Sequence, residues 1–132
     1  MRKILLVLML LSAVSSSAFS KDFEYKIYFG LSKPDGGAVS LAEWQAYEAE
    51  FAKAFIGFNV AETVGYYKGA KERSRLITLI MDDCREAKLD ETLKRYVVRF
   101  DQESVLVVKT KLESWKSVSK TTVTKLNDKC EG

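Results

Sequence analysis

The sequence predicts a single α+β domain, and three observations carry this prediction. Segments with a two-residue period and segments with a helical period follow one another in the order strand, helix, strand, strand, helix, strand. Turn-forming residues separate the first strand segment from the first helical segment. The 132 residues are 47% hydrophobic and 30% charged, which is typical of a globular domain and excludes collagen, coiled coil and extensive disorder.

The first strand and the first helix are defined by a turn and a cap. Residues 25–31 alternate between buried-type and polar or small side chains, as a half-buried strand does. Residues 32–37 end that strand, because they contain the single Pro, which fixes φ, and two of the seven Gly, which permit positive φ. Ser40 and Glu43 then match the capping box that starts helices. The first helix is therefore predicted over residues 41–55.

The middle of the chain predicts a hairpin, a second helix and a last strand. Residues 59–68 and 74–81 are rich in β-branched and aromatic side chains, and Gly69 breaks the chain between them. Residues 85–100 carry apolar side chains at helical spacing. A fourth strand follows over residues 105–112.

This order of elements predicts the ferredoxin-like split βαβ sandwich, βαββαβ, in which two helices cover one face of an antiparallel sheet. We expect the first strand to lie between the second and the third. The other face of the sheet stays open, with Tyr28 and one of Tyr66 and Tyr67 near it. The domain spans residues 21–132 and includes a C-terminal extension, rich in Ser, Thr and Lys, from about residue 113.

Residues 1–20 predict a secretory signal peptide. Two basic residues precede a run of apolar residues and then small polar ones, and this run is about half of the roughly 20 residues that a transmembrane helix needs. Cleavage fits after Ala18 or after Ser20, and we favour Ser20. The expected location is the periplasm or the outside of the cell, with no transmembrane segment in the mature chain.

Cys84 and Cys130 are the only cysteines. In an oxidising compartment a pair of cysteines favours one disulfide bond. Closing a loop of 47 residues stabilises a fold by about 4 kcal/mol in the chain-entropy account. A redox role is less favoured, because the carboxylates of Asp82 and Asp83 oppose formation of a thiolate at Cys84.

Composition excludes several classes of function. The chain has no His, which removes Ser-His-Asp and Cys-His catalysis and His-containing zinc sites. Its net charge is +3, and without Arg2 and Lys3 it falls to +1, so nothing indicates a nucleic-acid partner. No metal site and no cofactor are predicted.

Short motifs in the right order between residues 25 and 110 carry a resemblance to a known family. They are Tyr28-Phe29-Gly30, Asp35-Gly36, Val39-Ser40, Glu43-Trp44, Glu72-Arg73-Ser74, and Phe100 with Gln102-Glu103-Ser104-Val105. The chain resembles the bacterial exported family of domain of unknown function 3574. The resemblance implies a small exported α+β protein and brings no established activity. The chain differs from the family pattern at residues 52–57 and 66–67, and it lacks the lipid-anchor cysteine of some members.

Two groups of side chains are candidates for a site. The first is a polar cluster, in which a Glu acts as acid or base and an Arg clamps a carboxylate or phosphate. The alternative for this cluster is a network of ion pairs that holds loops in place. The second group offers aromatic and amide side chains to a ligand, with core or dimer packing as its alternative. The catalytic candidates are Glu72, Arg73, Arg75 and Glu103, and the binding candidates are Tyr28, Trp44, Tyr66, Tyr67 and Gln102.

Three functional hypotheses follow. The leading one is a non-enzymatic exported binding or interaction module that self-associates through its open sheet face, so the expected partners are a second copy, an envelope protein or a small ligand. The second is a small pocket enzyme of the dimeric α/β-barrel type that uses Glu and Arg side chains. The third is an envelope factor that blocks or modifies another protein.

Overall fold

The structure, a computed structural model, describes residues 22–121 and the short strand Val123–Thr124. The expected signal peptide and Cys130 lie outside the described residues. Within this part of the chain, no helix is long and apolar enough to cross a membrane.

The elements alternate in the predicted order, and the domain is α+β. The strands and helices are β1 Asp22–Gly30, α1 Leu41–Ala54, β2 Asn59–Tyr67, β3 Ala70–Asp82, α2 Glu86–Arg99 and β4 Leu106–Lys111. A short 3₁₀ helix, Asp83–Arg85, precedes α2, and two-residue strands, β5 Ser117–Val118 and β6 Val123–Thr124, pair in the C-terminal extension.

Strands β1 to β4 form one antiparallel sheet in the order β2-β3-β1-β4. The expectation that the first strand lies between the second and the third is wrong, because β3 occupies that place. The reason lies in the turn between β2 and β3, where Lys68 and Gly69 both have positive φ. A two-residue turn of this kind makes the strands on either side of it direct neighbours. β3 also begins at Ala70, four residues earlier than predicted, since this turn leaves no room for a longer break.

Helix α1 begins where the sequence predicted, and its capping box is confirmed. The Glu43 backbone N–H donates to the Ser40 hydroxyl over 3.1 Å, and the Ser40 N–H donates to the Glu43 carboxylate over 2.8 Å. These two bonds satisfy backbone donors that a helix end otherwise leaves unpaired. The bond from the Ser40 N–H lowers the pKa of Glu43, and a hydrogen bond from the Lys33 ammonium adds to this effect.

The core lies on the face of the sheet that both helices cover. Phe29 of β1 contacts the rings of Trp44 and Tyr47 from α1 and of Tyr96 from α2, with centroid distances of 5.3, 5.6 and 4.8 Å. The Tyr47 hydroxyl also donates to the backbone oxygen of Thr92 over 3.0 Å and so joins the two helices. Interlocked aromatic rings of this kind contribute both buried area and specific edge-to-face contacts.

Candidate functional site

The face of the sheet without helices, hereafter the helix-free face, carries an apolar row. Leu106, Tyr28, Leu76 and Ala61 stand directly opposite one another across all four strands. Leu106 is 61% exposed, and the side chains of Tyr28 and Leu76 are half-buried. This apolar row is therefore a continuous apolar surface that the helices leave uncovered.

Glu72 lies on the same face as the apolar row, at the end of that face where β1 ends. Its carboxylate accepts a hydrogen bond from the Ser32 N–H over 3.1 Å. It also lies against Gly30, since a Cβ atom at Gly30 would stand 2.6 Å from Glu72 Oε1. The absence of a side chain at Gly30 thus makes room for this carboxylate.

Gln102 and Tyr96 bind the same short segment from the other side. The Gln102 amide donates to the backbone oxygens of Ser32 and Phe100 over 2.9 and 3.0 Å. The Tyr96 hydroxyl donates to the Gly30 backbone oxygen over 2.6 Å. Gln102, Tyr96 and Glu72 therefore hold residues 30–32, and several motifs that carry the family resemblance meet around this loop.

Glu103 and Tyr67 lie at the exposed rim of the same end. The Lys68 ammonium is 3.2 Å from a Glu103 carboxylate oxygen and 5.2 Å from the centre of the Tyr67 ring. The hydrogen bond with Glu103 raises the pKa of Lys68, and the charge of Glu103 adds to this effect. Both side chains of the ion pair are well exposed, so we expect it to add little stability.

Arg73 and Arg75 face the opposite side of the sheet from Glu72. Successive side chains of a strand alternate between its faces, and Arg75 is paired in register with Phe29, which lies in the core. Arg75 is 9% exposed, forms an ion pair with Glu62 and lies 5.9 Å from the centre of the Trp44 ring. The structure thus separates the four catalytic candidates, with Glu72 and Glu103 near one surface and the two arginines on the other.

The binding candidates are divided in the same way. Tyr28 and Tyr67 lie on the helix-free face, whereas Gln102 binds residues 30–32 from the other side. Trp44 is 2% exposed and belongs to the core. Tyr66 is exposed on the helix side of β2, where it stands opposite Lys71. The helix-free face therefore carries two of the five aromatic and amide candidates.

Sequence reasoning missed an apolar groove at the other end of the sheet. It has a volume of about 530 Å³ and is lined by Phe55, Phe58, Ile80 and Trp115, among others. The Trp115 indole N–H donates to the Asp22 carboxylate over 2.9 Å, which ties the C-terminal extension to the start of β1. The only signal in the sequence was that Trp115 is a large apolar residue in a polar tail. This signal did not show where on the domain Trp115 packs.

Metal ligation finds no support in the described residues, where no group of three or more His, Cys, Asp or Glu side chains is arranged to hold an ion. Acidic side chains in this part of the chain serve as hydrogen-bond acceptors. Glu86 shows this well, because a hydrogen bond from Lys109 lowers its pKa and a second bond comes from the Tyr25 hydroxyl. Burial raises the pKa of Tyr25, to which the nearby Glu86 charge adds.

Comparison with known proteins shows the family to which this chain belongs. The profile of the family described as a protein of unknown function, DUF3574, matches residues 24–115. The chain belongs to this family, as its motifs predicted. No curated protein matches it.

Comparison with a solved structure shows a likeness in fold. The chain is similar to a phage SAM lyase in complex with S-methyl-5'-thioadenosine, with a TM-score of 0.56 and 20% sequence identity. The similarity covers 70% of this chain and 82% of the lyase chain. At this level of identity the likeness shows a shared fold alone.

Proposed function

We propose that this protein is a binding module that self-associates through its helix-free face, with two copies packed sheet against sheet. The observation that carries the proposal is the apolar row of Leu106, Tyr28, Leu76 and Ala61, which crosses the whole sheet with no helix over it. The antiparallel four-stranded sheet with two helices further supports a ferredoxin-like sandwich, an architecture with one free sheet face.

A second copy is the partner that this face fits best. A two-fold axis through the middle of the apolar row places the row of one copy against the same row of the other, as isologous dimers require. The charged residues next to the apolar row do not oppose dimer formation, because Glu24 and Lys26 of the same face form an ion pair with an N–O distance of 3.5 Å. A face of mixed charge does not repel its own copy.

Analytical ultracentrifugation of the protein without residues 1–20 tests the proposal. We expect a dimer, and we expect Leu106→Glu to give a monomer because it places a charge in the apolar row. Val98→Glu is the matched control, since Val98 is 72% exposed on α2, away from the sheet. A wild-type protein that stays monomeric at high concentration would refute self-association, as would equal effects of the two substitutions.

We also propose that the protein is exported to the periplasm or beyond, and that a disulfide joins Cys84 to Cys130. Cys84 lies in the 3₁₀ helix that follows β3, where its N–H donates to the Asp82 carboxylate over 2.9 Å. Intact mass measurement of protein from its native compartment tests both points. We expect a chain that begins at Lys21 or Phe19 and that gains two hydrogen atoms on reduction, and a full-length reduced chain would contradict both.

An enzyme is the second candidate, and the likeness to the SAM lyase favours it. In a sheet-to-sheet dimer, Tyr28 of each copy would lie near the two-fold axis, and Glu72 would lie at the edge of the space between the sheets. A carboxylate there would attract a cationic substrate such as the sulfonium of S-adenosylmethionine. Arg73 and Arg75 lie on the opposite face of the sheet, so the proposed enzyme activity depends on Glu72 and not on these arginines.

Incubation of the purified protein with S-adenosylmethionine tests the enzyme directly. Release of S-methyl-5'-thioadenosine by the wild type, and its loss in Glu72→Gln, would establish the activity. Unchanged S-adenosylmethionine would leave self-association as the function that the geometry supports.

A further inference from the structure

A second concave site lies on the helix side of the β2–β3 hairpin, away from the helix-free face. The cavity has a volume of about 280 Å³. Arg73, Arg75 and Glu62 supply its charged side chains, and Leu31 and Val64 supply apolar surface. It combines two positive charges with an apolar wall in a space below the range of about 300–1,000 Å³ that is usual for drug-sized ligands.

Arg75 is the unusual member of this site. It is 9% exposed, yet its Nε atom has no hydrogen-bond partner among the described residues. The Nη1 atom of its guanidinium donates a hydrogen bond to the Glu62 carboxylate. A buried polar atom without a partner is costly, and in native proteins it points to a role beyond packing.

Glu62 shows what kind of partner Arg75 binds. Glu62 stands directly opposite Arg75 in the register of β2 and β3, and its own side chain is 71% exposed. An exposed carboxylate that is paired with a buried guanidinium pays little to move into water. The partner of Arg75 can therefore be exchanged for another carboxylate without loss of buried structure.

We propose that this cavity binds a small organic carboxylate. The ligand carboxylate replaces Glu62 at the planar guanidinium of Arg75, a geometry for which arginine is suited and lysine is not. Arg73, which is exposed at the mouth, adds a second positive charge. Leu31 and Val64 contact the apolar part of the ligand.

This inference is independent of self-association. The cavity and the apolar row lie on opposite faces of the sheet, so a dimer formed through the row leaves the cavity open. Loss of the dimer in Leu106→Glu and loss of ligand binding in an Arg75 variant are separate results.

Benzoate and its neutral analogue benzamide are the probes, and the fluorescence of Trp44 is the readout. Arg75 lies against the Trp44 ring, so a change in its partner alters the surroundings of that indole. A Trp115→Phe background removes the other Trp, which lines the distant groove. We expect a saturable change with benzoate in the millimolar range and none with benzamide. An equal response to both, or a response to neither, would overturn the proposal.

Variants distinguish a ligand site from a structural ion pair. Glu62→Gln removes the competing carboxylate, so we expect benzoate to bind several-fold more tightly. Arg75→Lys keeps the charge and loses the planar fork, and we expect binding to weaken by roughly tenfold. Arg75→Gln removes the guanidinium, so we expect it to abolish binding, and the first two variants keep the test decisive if this protein does not fold. Benzoate affinity that is unchanged in both variants would refute the site.

Discussion

The two faces of the sheet are built from the same strands and serve different ends. Phe29 and Tyr28 are neighbours in β1, yet Phe29 is enclosed by rings from both helices while Tyr28 lies half-buried in the uncovered apolar row. Leu76 and Ile77 repeat the contrast in β3. Because side chains alternate along a strand, one residue packs in the core and stabilises the domain, and the next lies on the open surface.

The largest expected effect is on the covered face. Phe29→Ala should lower the free energy of unfolding by about 3–5 kcal/mol, because it opens a cavity among packed aromatic rings. Tyr28→Ala, one residue away, should cost roughly 1 kcal/mol, as is common for partly exposed positions. Urea unfolding in the Leu106→Glu background measures both without interference from self-association. Equal costs would show that the two faces contribute alike.

A smaller effect is expected at the polar end of the helix-free face. Gly30→Ala should destabilise by about 1–2 kcal/mol, because the new Cβ displaces the Glu72 carboxylate from the Ser32 N–H. Gly65→Ala is the matched control, since Gly65 pairs in register with Glu72 and a Cβ there meets nothing within 4 Å. Thermal unfolding compares the two variants. A Gly30→Ala protein as stable as Gly65→Ala would show that Glu72 does not hold this loop.

The smallest expected effect is a pH dependence on the covered side. Lys109 holds the pKa of Glu86 below its usual value of 4.5, so the folded state binds this proton less readily than the unfolded state. The stabilisation is therefore present above the usual pKa and is lost as the pH falls through the lowered one. Between about pH 5 and pH 3, stability should fall more in the wild type than in Glu86→Gln. Glu91→Gln, exposed on the same helix, should follow the wild type, and a Glu86→Gln protein that did the same would contradict this assignment.

Local signals in the sequence were sufficient for much of this description. The capping box at Ser40, the turn at Gly69 and the family motifs each depend on residues close in the chain, and each is confirmed. The strand order was mispredicted, because the two-residue turn at Lys68 and Gly69 makes β2 and β3 direct neighbours and leaves no place for β1 between them. The partition of Glu72 from Arg75 also escaped prediction, although strand period alone places an even and an odd position on opposite faces.

The amino-acid sequence alone determined the family, the order of the elements and the start of the first helix. These features follow from side-chain period, backbone preference and short-range hydrogen bonds, which act within a few residues. Tertiary structure alone decided that β3 lies beside β1, that Trp115 docks near Asp22 and that a buried Arg75 meets Glu62 at a cavity. Such contacts join residues far apart in the chain, and they form only when the whole sheet and its helices share one core.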